Sequence, residues 1–187
     1  MDLFNTSPEI NGLKYIPNFI NKTEAAELLA QIDANEWLTD LKRRVQHYGW
    51  KYDYKLRRVS EDLQIGELPY WLAEYAKKLQ AEGYFETAPD QVIVNEYIAG
   101  QGISAHSDSF AFGGVVASLS LGAGCLMDFC NGERKESLYL EPQSLVVLAG
   151  DARYNWQHSI AARKSDKICG VIMPRGRRIS LTFRTVL

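Results

Sequence analysis

A chain of 187 residues with 46% hydrophobic and 24% charged residues can bury one sizeable core, which excludes a disordered or fibrous protein. Its formal net charge of -2 excludes a protein that coats nucleic acid over its whole surface, but leaves room for a local basic patch. Three cysteines, Cys125, Cys130 and Cys169, are an odd number without a CxxC pair, so free thiols are expected rather than a disulfide framework or a zinc knuckle. The first ten residues lack a basic-then-apolar signal pattern, and no apolar run is long enough to span a bilayer. A single cytoplasmic domain over 1–187, monomeric and without a membrane segment, is the expectation.

In chain order, Asn21 followed by Glu24 has the form of a capping box with Asn in place of Ser or Thr. Ala25, Leu28, Leu29 and Ile32 then recur at helical spacing and predict a first helix. A second is predicted from about Pro69, where Trp71, Leu72, Tyr75, Ala76 and Leu79 form an apolar stripe that reads as core. Between them, up to residue 58, Lys42, Arg43, Arg44, Lys51, Lys55, Arg57 and Arg58 face only Asp40 and Asp53, a local balance of +5. Tyr48, Trp50, Tyr52 and Tyr54 alternate with polar residues, as a strand or hairpin would. Bases stack on such rings while cations meet phosphates; a solvated edge hairpin with inward-packed rings is the competing reading. His47 lies in this segment and is given a surface or substrate-facing role, not a ligand's.

From Asp90 the pattern changes to short β-like runs: QVIVNEY, VVASLSL, LMDF, SLYL, SLVVLAG, ICGVIM and RISLTF. Turn residues in GAG, NGE, EPQ and PRGR separate several of them. Many short strands at this spacing predict a sandwich or barrel, so the fold class is mainly β with N-terminal helices. Residues 1–89 would supply helices and a recognition lid, and 90–187 the core.

The chemistry concentrates in a few positions. His106 and Asp108 are two residues apart, on one face if the segment is extended, and His158 lies fifty residues after Asp108, just beyond an expected strand. Two histidines and a carboxylate leave open positions on an ion, the arrangement that non-haem Fe(II) oxygenases use. In Arg178–Arg184 the alternation is strict: Arg178, Ser180, Thr182 and Arg184 share one face, Ile179, Leu181 and Phe183 the other. Two arginines facing a barrel interior call for an anion, and a dicarboxylate would satisfy them; a solvent-facing polar side is the plainer alternative. Asn95 and Tyr97 share a strand face and would hydrogen-bond a carboxylate.

Taken in order, PDQVIVNEYIAGQGISAHSD, SLSLG, MDF, GDARYNWQHSI and RRISLTFR resemble the dioxygenase domain of the AlkB family over about residues 90–187, with a looser echo in VQHYGWKYDY. The likeness is greatest to members that hydroxylate a modified wobble uridine in tRNA; their RNA-binding and methyltransferase domains are not expected here. The resemblance implies a double-stranded β-helix (jelly-roll) core, with Fe(II) held by His106, Asp108 and His158. It implies 2-oxoglutarate and O2 as cosubstrates, with Arg178 on the distal carboxylate, Asn95 and Tyr97 assisting, and Arg184 nearby or orienting the wall. Tyr48 and Tyr52 would belong to the nucleotide lid, and Arg134 would lie near the base. Repair members carry an acid two positions after the metal-binding Asp; here that residue is Phe110. The implied activity is oxidative demethylation of N-alkylated bases in single-stranded or flipped-out DNA or RNA. Hydroxylation of a modified tRNA base is the alternative. A non-catalytic jelly-roll binding module is a third reading, against which the intact ligand set and Arg178 speak.

If the basic segment grips phosphates, affinity for single-stranded nucleic acid falls steeply as salt is raised. Fluorescence anisotropy across a salt series tests this, and a flat affinity counts against the phosphate grip.

Overall fold

The computed structural model describes residues 7–39, 41–53, 59 and 61–187. The elements in chain order are β1 (Leu13–Ile16), α1 (Lys22–Ala34), β2 (Val45–Tyr48), a 3-10 turn (Glu61–Leu63), α2 (Tyr70–Ala81), β3 (Gln91–Tyr97), β4 (Ile103–His106) and β5 (Phe112–Gly122). They continue with β6 (Cys125–Asn131), β7 (Arg134–Leu140), β8 (Leu145–Ala149), α3 (Gly150–Tyr154), β9 (Gln157–Ile160), β10 (Ser165–Ile168), β11 (Val171–Pro174) and β12 (Arg178–Val186). No helix among the described residues is long and apolar enough to cross a membrane.

Strand β12 lies near the centre of a six-stranded sheet of order β1-β8-β5-β12-β3-β2, paired antiparallel with both β3 and β5. Its odd-numbered residues Ile179, Leu181 and Phe183 enter a large apolar cluster with Leu28 and Ile32 of α1 and Leu72 and Leu79 of α2. The helices therefore cover one face of this sheet. The opposite face meets a four-stranded sheet of order β4-β9-β6-β7. A second cluster fills part of the space between, joining Met127, Phe129 and Leu138 to Val146 and Leu148. This is the sandwich expected from many short strands, and the jelly-roll that the resemblance implies. Although β1 and β2 come from the first ninety residues, they form the two edges of the large sheet.

The helix starts follow their local signals. Asn21 Oδ1 accepts from the Thr23 and Glu24 amides at 2.8 and 3.0 Å, and the Glu24 carboxylate accepts from the Asn21 amide at 2.7 Å. That closes the capping box and satisfies otherwise orphaned donors. Helix α2 begins directly after Pro69, whose φ of -60° is already helical and whose missing N–H is no loss there.

Two expectations need correction. ICGVIM is not one strand: Cys169 and Gly170 take φ of 47° and 85° and turn the chain between β10 and β11, a two-residue hairpin. The alternating Tyr48, Trp50 and Tyr52 do not form one continuous strand either. Strand β2 stops at Tyr48, because Gly49 has φ 76° and a Cβ there would lie 1.8 Å from the Asp90 carbonyl oxygen. Trp50 then bridges to Gln64. Tyr54, Lys55, Arg57 and Arg58 lie outside the described residues.

A buried carboxylate joins the first half of the chain to the second. Glu96 of β3 accepts from Arg44 Nε and Nη2 at 2.6 and 2.7 Å and from Arg177 Nε at 2.6 Å, while Arg177 also binds Asp33 of α1. The Arg44 hydrogen bonds, reinforced by Arg177, hold the Glu96 carboxyl below its ordinary range despite the opposing effect of burial. Its stabilisation is therefore complete above the unfolded carboxylate range and is lost as pH falls through the lowered folded value. Glu96→Gln should cost about 1–2 kcal/mol at neutral pH, a modest figure because both arginines are partly exposed. The gap from wild type should shrink in acid; urea unfolding at neutral and acidic pH checks both statements.

Candidate active site

Between the two sheets lies a cavity of about 710 Å3. The residues that the alternation put on one face of β12 (Arg178, Ser180, Thr182 and Arg184) all line it, together with Asn95 and Tyr97 of β3. Antiparallel register explains the grouping: Arg178 stands opposite Tyr97, and Ser180 opposite Asn95. Cross-strand partners project to the same side of a sheet, so the polar faces of β3 and β12 make one wall. Opposite them, His106, Asp108 and His158 line the same space.

His106 of β4 and His158 of β9 are direct cross-strand partners, with ring centroids 4.4 Å apart. Asp108 leaves β4 two residues later and brings Oδ2 to 3.7 Å from His158 Nε2. Among the described residues no three His, Cys, Asp or Glu side chains converge tightly enough to hold an ion as they stand. The trio is thus open, and its fit to iron rests on donor chemistry. His106 Nδ1 lies 2.8 Å from the Ser104 carbonyl, a contact that calls for a proton on Nδ1 and leaves Nε2 as the lone-pair donor. Burial pushes the His158 imidazole down to about 4, against the pull of Asp108, so the ring is neutral at physiological pH. Burial alone would raise the Asp108 carboxyl; Arg184 first, then both histidines and Arg153, outweigh it and hold the group ionised, well below the ordinary range. Two imidazoles and a carboxylate are a donor set suited to Fe(II).

The environment of Asp108 is built by two arginines. Arg184 Nε and Nη2 both donate to Asp108 Oδ1, at 2.9 and 2.6 Å, which leaves Oδ2 toward the histidines. Its guanidinium thus orients the Asp108 carboxylate on the cavity wall. Arg153, only 2% exposed, comes from α3 and donates to the Asp108 and Ser109 carbonyls at 3.0 and 2.7 Å. Sequence reasoning missed Arg153, because nothing in ARYNW marks an arginine that turns inward to hold a loop forty-five residues away.

The other end of the cavity asks for an anion. Arg178 is 2% exposed; Nη2 donates to Ser120 Oγ at 2.9 Å, while Nε and Nη1 have no partner among the described residues. A buried cation with two unsatisfied donors is costly, and a carboxylate fork would satisfy both. Asn95 and Tyr97 flank it, and Arg178 Cζ lies 5.5 Å from the Tyr97 ring centroid. Arg43 Nε donates to Asn95 Oδ1 at 2.8 Å, which turns the Asn95 amide donor away from that contact. The residues present therefore fit 2-oxoglutarate at the Arg178 end as well as iron at the histidine end.

The expected substrate residues fare unevenly. Tyr52 lines the cavity and packs on Phe112 with centroids 5.7 Å apart. Tyr48 does not: it turns to the helix side of the sheet, edge-on to Trp71 at 5.3 Å, where burial pushes its phenol up to about 12. The reason is register. Tyr48 pairs with Val92, whose side chain belongs to the helix-covered face, whereas His47 pairs with Ile93 of the cavity wall. Arg134 is exposed, with Cζ 5.1 Å from the Trp156 ring centroid, and is not among the lining residues. Lys42 and Arg43, counted at first only as part of a basic run, do line the cavity.

Comparison with known proteins agrees with this geometry. Residues 12–184 match the model of the 2OG-Fe(II) oxygenase superfamily, so the class of protein is that of the iron- and 2-oxoglutarate-dependent oxygenases, enzymes that use Fe(II), 2-oxoglutarate and O2. Within that class the chain belongs to the AlkB family. It is 35% identical to the "Alkylated DNA repair protein ALKBH8 homolog" of Arabidopsis thaliana, over 100% of this chain and 61% of the relative. It is also 35% identical to the "tRNA (carboxymethyluridine(34)-5-O)-methyltransferase ALKBH8" of Mus musculus, over 94% of this chain but 30% of the relative. The chain thus spans between about a third and three fifths of these two proteins. The solved structure of OsALKBH1 superposes with a TM-score of 0.73 at 16% identity, covering 96% of this chain and 99% of that one, a likeness of fold.

Arg153→Lys keeps the charge but loses the two-pronged grip on the Asp108 loop. Divalent-metal affinity should fall roughly 10–100-fold, as for other outer-shell partners of metal ligands. Titration of Mn(II) into the apo-protein, with circular dichroism to show that the fold persists, reads this; unchanged affinity would remove Arg153 from the site.

Proposed function

We propose that this chain oxidatively demethylates N-alkylated bases in DNA or RNA, with His106, Asp108 and His158 as iron ligands and Arg178 as the anchor for 2-oxoglutarate. The carrying observation is that a buried guanidinium with two donors unsatisfied among the described residues shares one cavity with two imidazoles, that of His158 neutral, and an ionised carboxylate. Bound there, iron with 2-oxoglutarate and O2 supplies the oxidant for a C–H bond, with succinate and CO2 as coproducts. A carbon attached to a base nitrogen then departs as aldehyde after hydroxylation, which is net demethylation.

The chain's own groups do the rest. Arg178 holds the distal carboxylate of the cosubstrate, and Asn95 and Tyr97 present hydrogen-bonding groups beside it. Arg184 keeps Asp108 ionised and oriented. Ile93, Val116, Met127, Val146 and Leu148 make the cavity wall apolar and limit water around the reacting carbon. A base inside a duplex cannot enter such a space, so the target is single-stranded or flipped out. Lys42, Arg43 and Tyr52 line the cavity and supply the cations and ring that suit a nucleotide.

A second reading, hydroxylation of a modified tRNA base with the hydroxyl retained, is favoured by the match of 94% of this chain to a relative named for tRNA carboxymethyluridine. Phe110 in place of an acid two positions after Asp108 also favours it.

The deciding experiment measures succinate release with methylated single-stranded DNA, the same sequence as RNA, and tRNA, with His106→Ala as control. Turnover coupled to a methylated strand, with aldehyde released and activity lost in the variant, is the expected result. Turnover on tRNA alone with no aldehyde selects the second reading. Metal binding without turnover on any of the three rejects a nucleic-acid substrate.

A further inference from the structure

Two aromatic pairs leave the metal loop in opposite directions. Phe112 turns inward to line the cavity against Tyr52. Phe110, two residues earlier, turns outward and is 79% exposed. Its ring lies nearly parallel to that of Tyr154, with 12° between planes and centroids 6.0 Å apart. Tyr154 is itself 44% exposed, and its hydroxyl would lie 3.5 Å from a Cβ added at Gly114 of β5. Two large rings held parallel in water bury little of their apolar area, which makes this pair an unusual use of exposed surface.

The pair is also rigidly tied to the reacting centre. Phe110 follows Asp108 and Ser109, whose carbonyls are gripped by Arg153, and Tyr154 is the next residue after Arg153 on the same short helix. One arginine therefore fixes both the carboxylate ligand and the two rings. The chain between the inward and outward aromatics is only Ala111, so the outward ring lies within two residues of the cavity lining.

We propose that the Phe110–Tyr154 pair is a stacking platform for the nucleobase adjacent to the one inserted in the cavity. The proposal rests on the nucleic-acid reading above and extends it to a second subsite. Its occupant is a single-stranded nucleic acid because the cavity beside the rings is lined by Lys42 and Arg43, cations that complement a phosphate backbone. A flat apolar ring pair offers a base what it offers no phosphate or ion, and stacking of this kind is tolerant of base identity. The pair thus gives the exposed ring of Phe110 a role that a carboxylate could not fill. It predicts a requirement for an unpaired neighbour on one side of the target, since a base locked in a duplex cannot reach the platform.

The test uses the full chain with single-stranded DNA and RNA oligonucleotides carrying one N-methylated base and 2-aminopurine immediately 5′ or 3′ of it. Succinate release by the wild type is read first on each strand, so that failure of the underlying activity is seen separately. With strands that turn over, 2-aminopurine fluorescence should be quenched on binding from one side of the target only. Phe110→Ala should abolish that quenching and weaken binding about 5- to 150-fold, the range expected for one lost base stack. Phe110→Trp should restore both. Binding and turnover with no quenching on either side, or equal affinity of wild type and Phe110→Ala, would overturn the platform. So would light scattering that shows a wild-type dimer dissolved by Phe110→Ala with strand binding unchanged, which would make the rings a contact between copies.

Discussion

The structure depends on one buried charge arrangement, the carboxylate of Asp108 held between arginines of two different elements. Arg184 reaches it from β12 and Arg153 holds its backbone from α3, while two histidines face its remaining oxygen. An isolated carboxylate in this position would take up a proton to escape the cost of desolvation. The arginines reverse that outcome. The group stays anionic at the mouth of an apolar cavity, and the attraction of a dication to it is undiminished at neutral pH.

The same logic explains the rest of the cavity. Strand β12 runs through the middle of the large sheet, apolar toward the helices and polar toward the interior. A polar face in that location is tolerable only where its groups find partners. Arg184 finds Asp108, Ser180 finds Ser118 at 2.7 Å, and among the described residues Arg178 finds only Ser120, with one of its three nitrogens. The residual demand at Arg178 is a demand for a ligand, and it lies in the same cavity as the histidines. The two ends of the cavity are thereby coupled through a single strand.

The N-terminal segment is bound into this design rather than appended to it. Arg44 and Arg177 converge on Glu96, and the adjoining residues Arg43 and Asn95 meet inside the cavity. Neighbouring positions on β3 thus serve opposite faces: Glu96 anchors the fold and Asn95 lines the cavity. The Arg43–Asn95 hydrogen bond ties the N-terminal segment to that cavity wall.

Local signals in the chain determined a good part of this. The capping box at Asn21, the helix after Pro69 and the alternation of Arg178–Arg184 each depend on residues a few positions apart, so sequence order is enough to reveal them. The residue types of His106, Asp108 and His158 likewise marked them as candidate ligands, and the fold brings all three to one cavity. Which residues meet across the fold was decided only by tertiary structure. Arg153 gains its meaning from carbonyls forty-four and forty-five residues away, and Arg43 from an amide fifty-two residues on. Tyr48 and Tyr52 look equivalent in an alternating run, yet pairing of β2 with β3 and the close approach at Gly49 send one to the core and the other to the cavity. A period of two states that faces differ, and only strand pairing states which face is which.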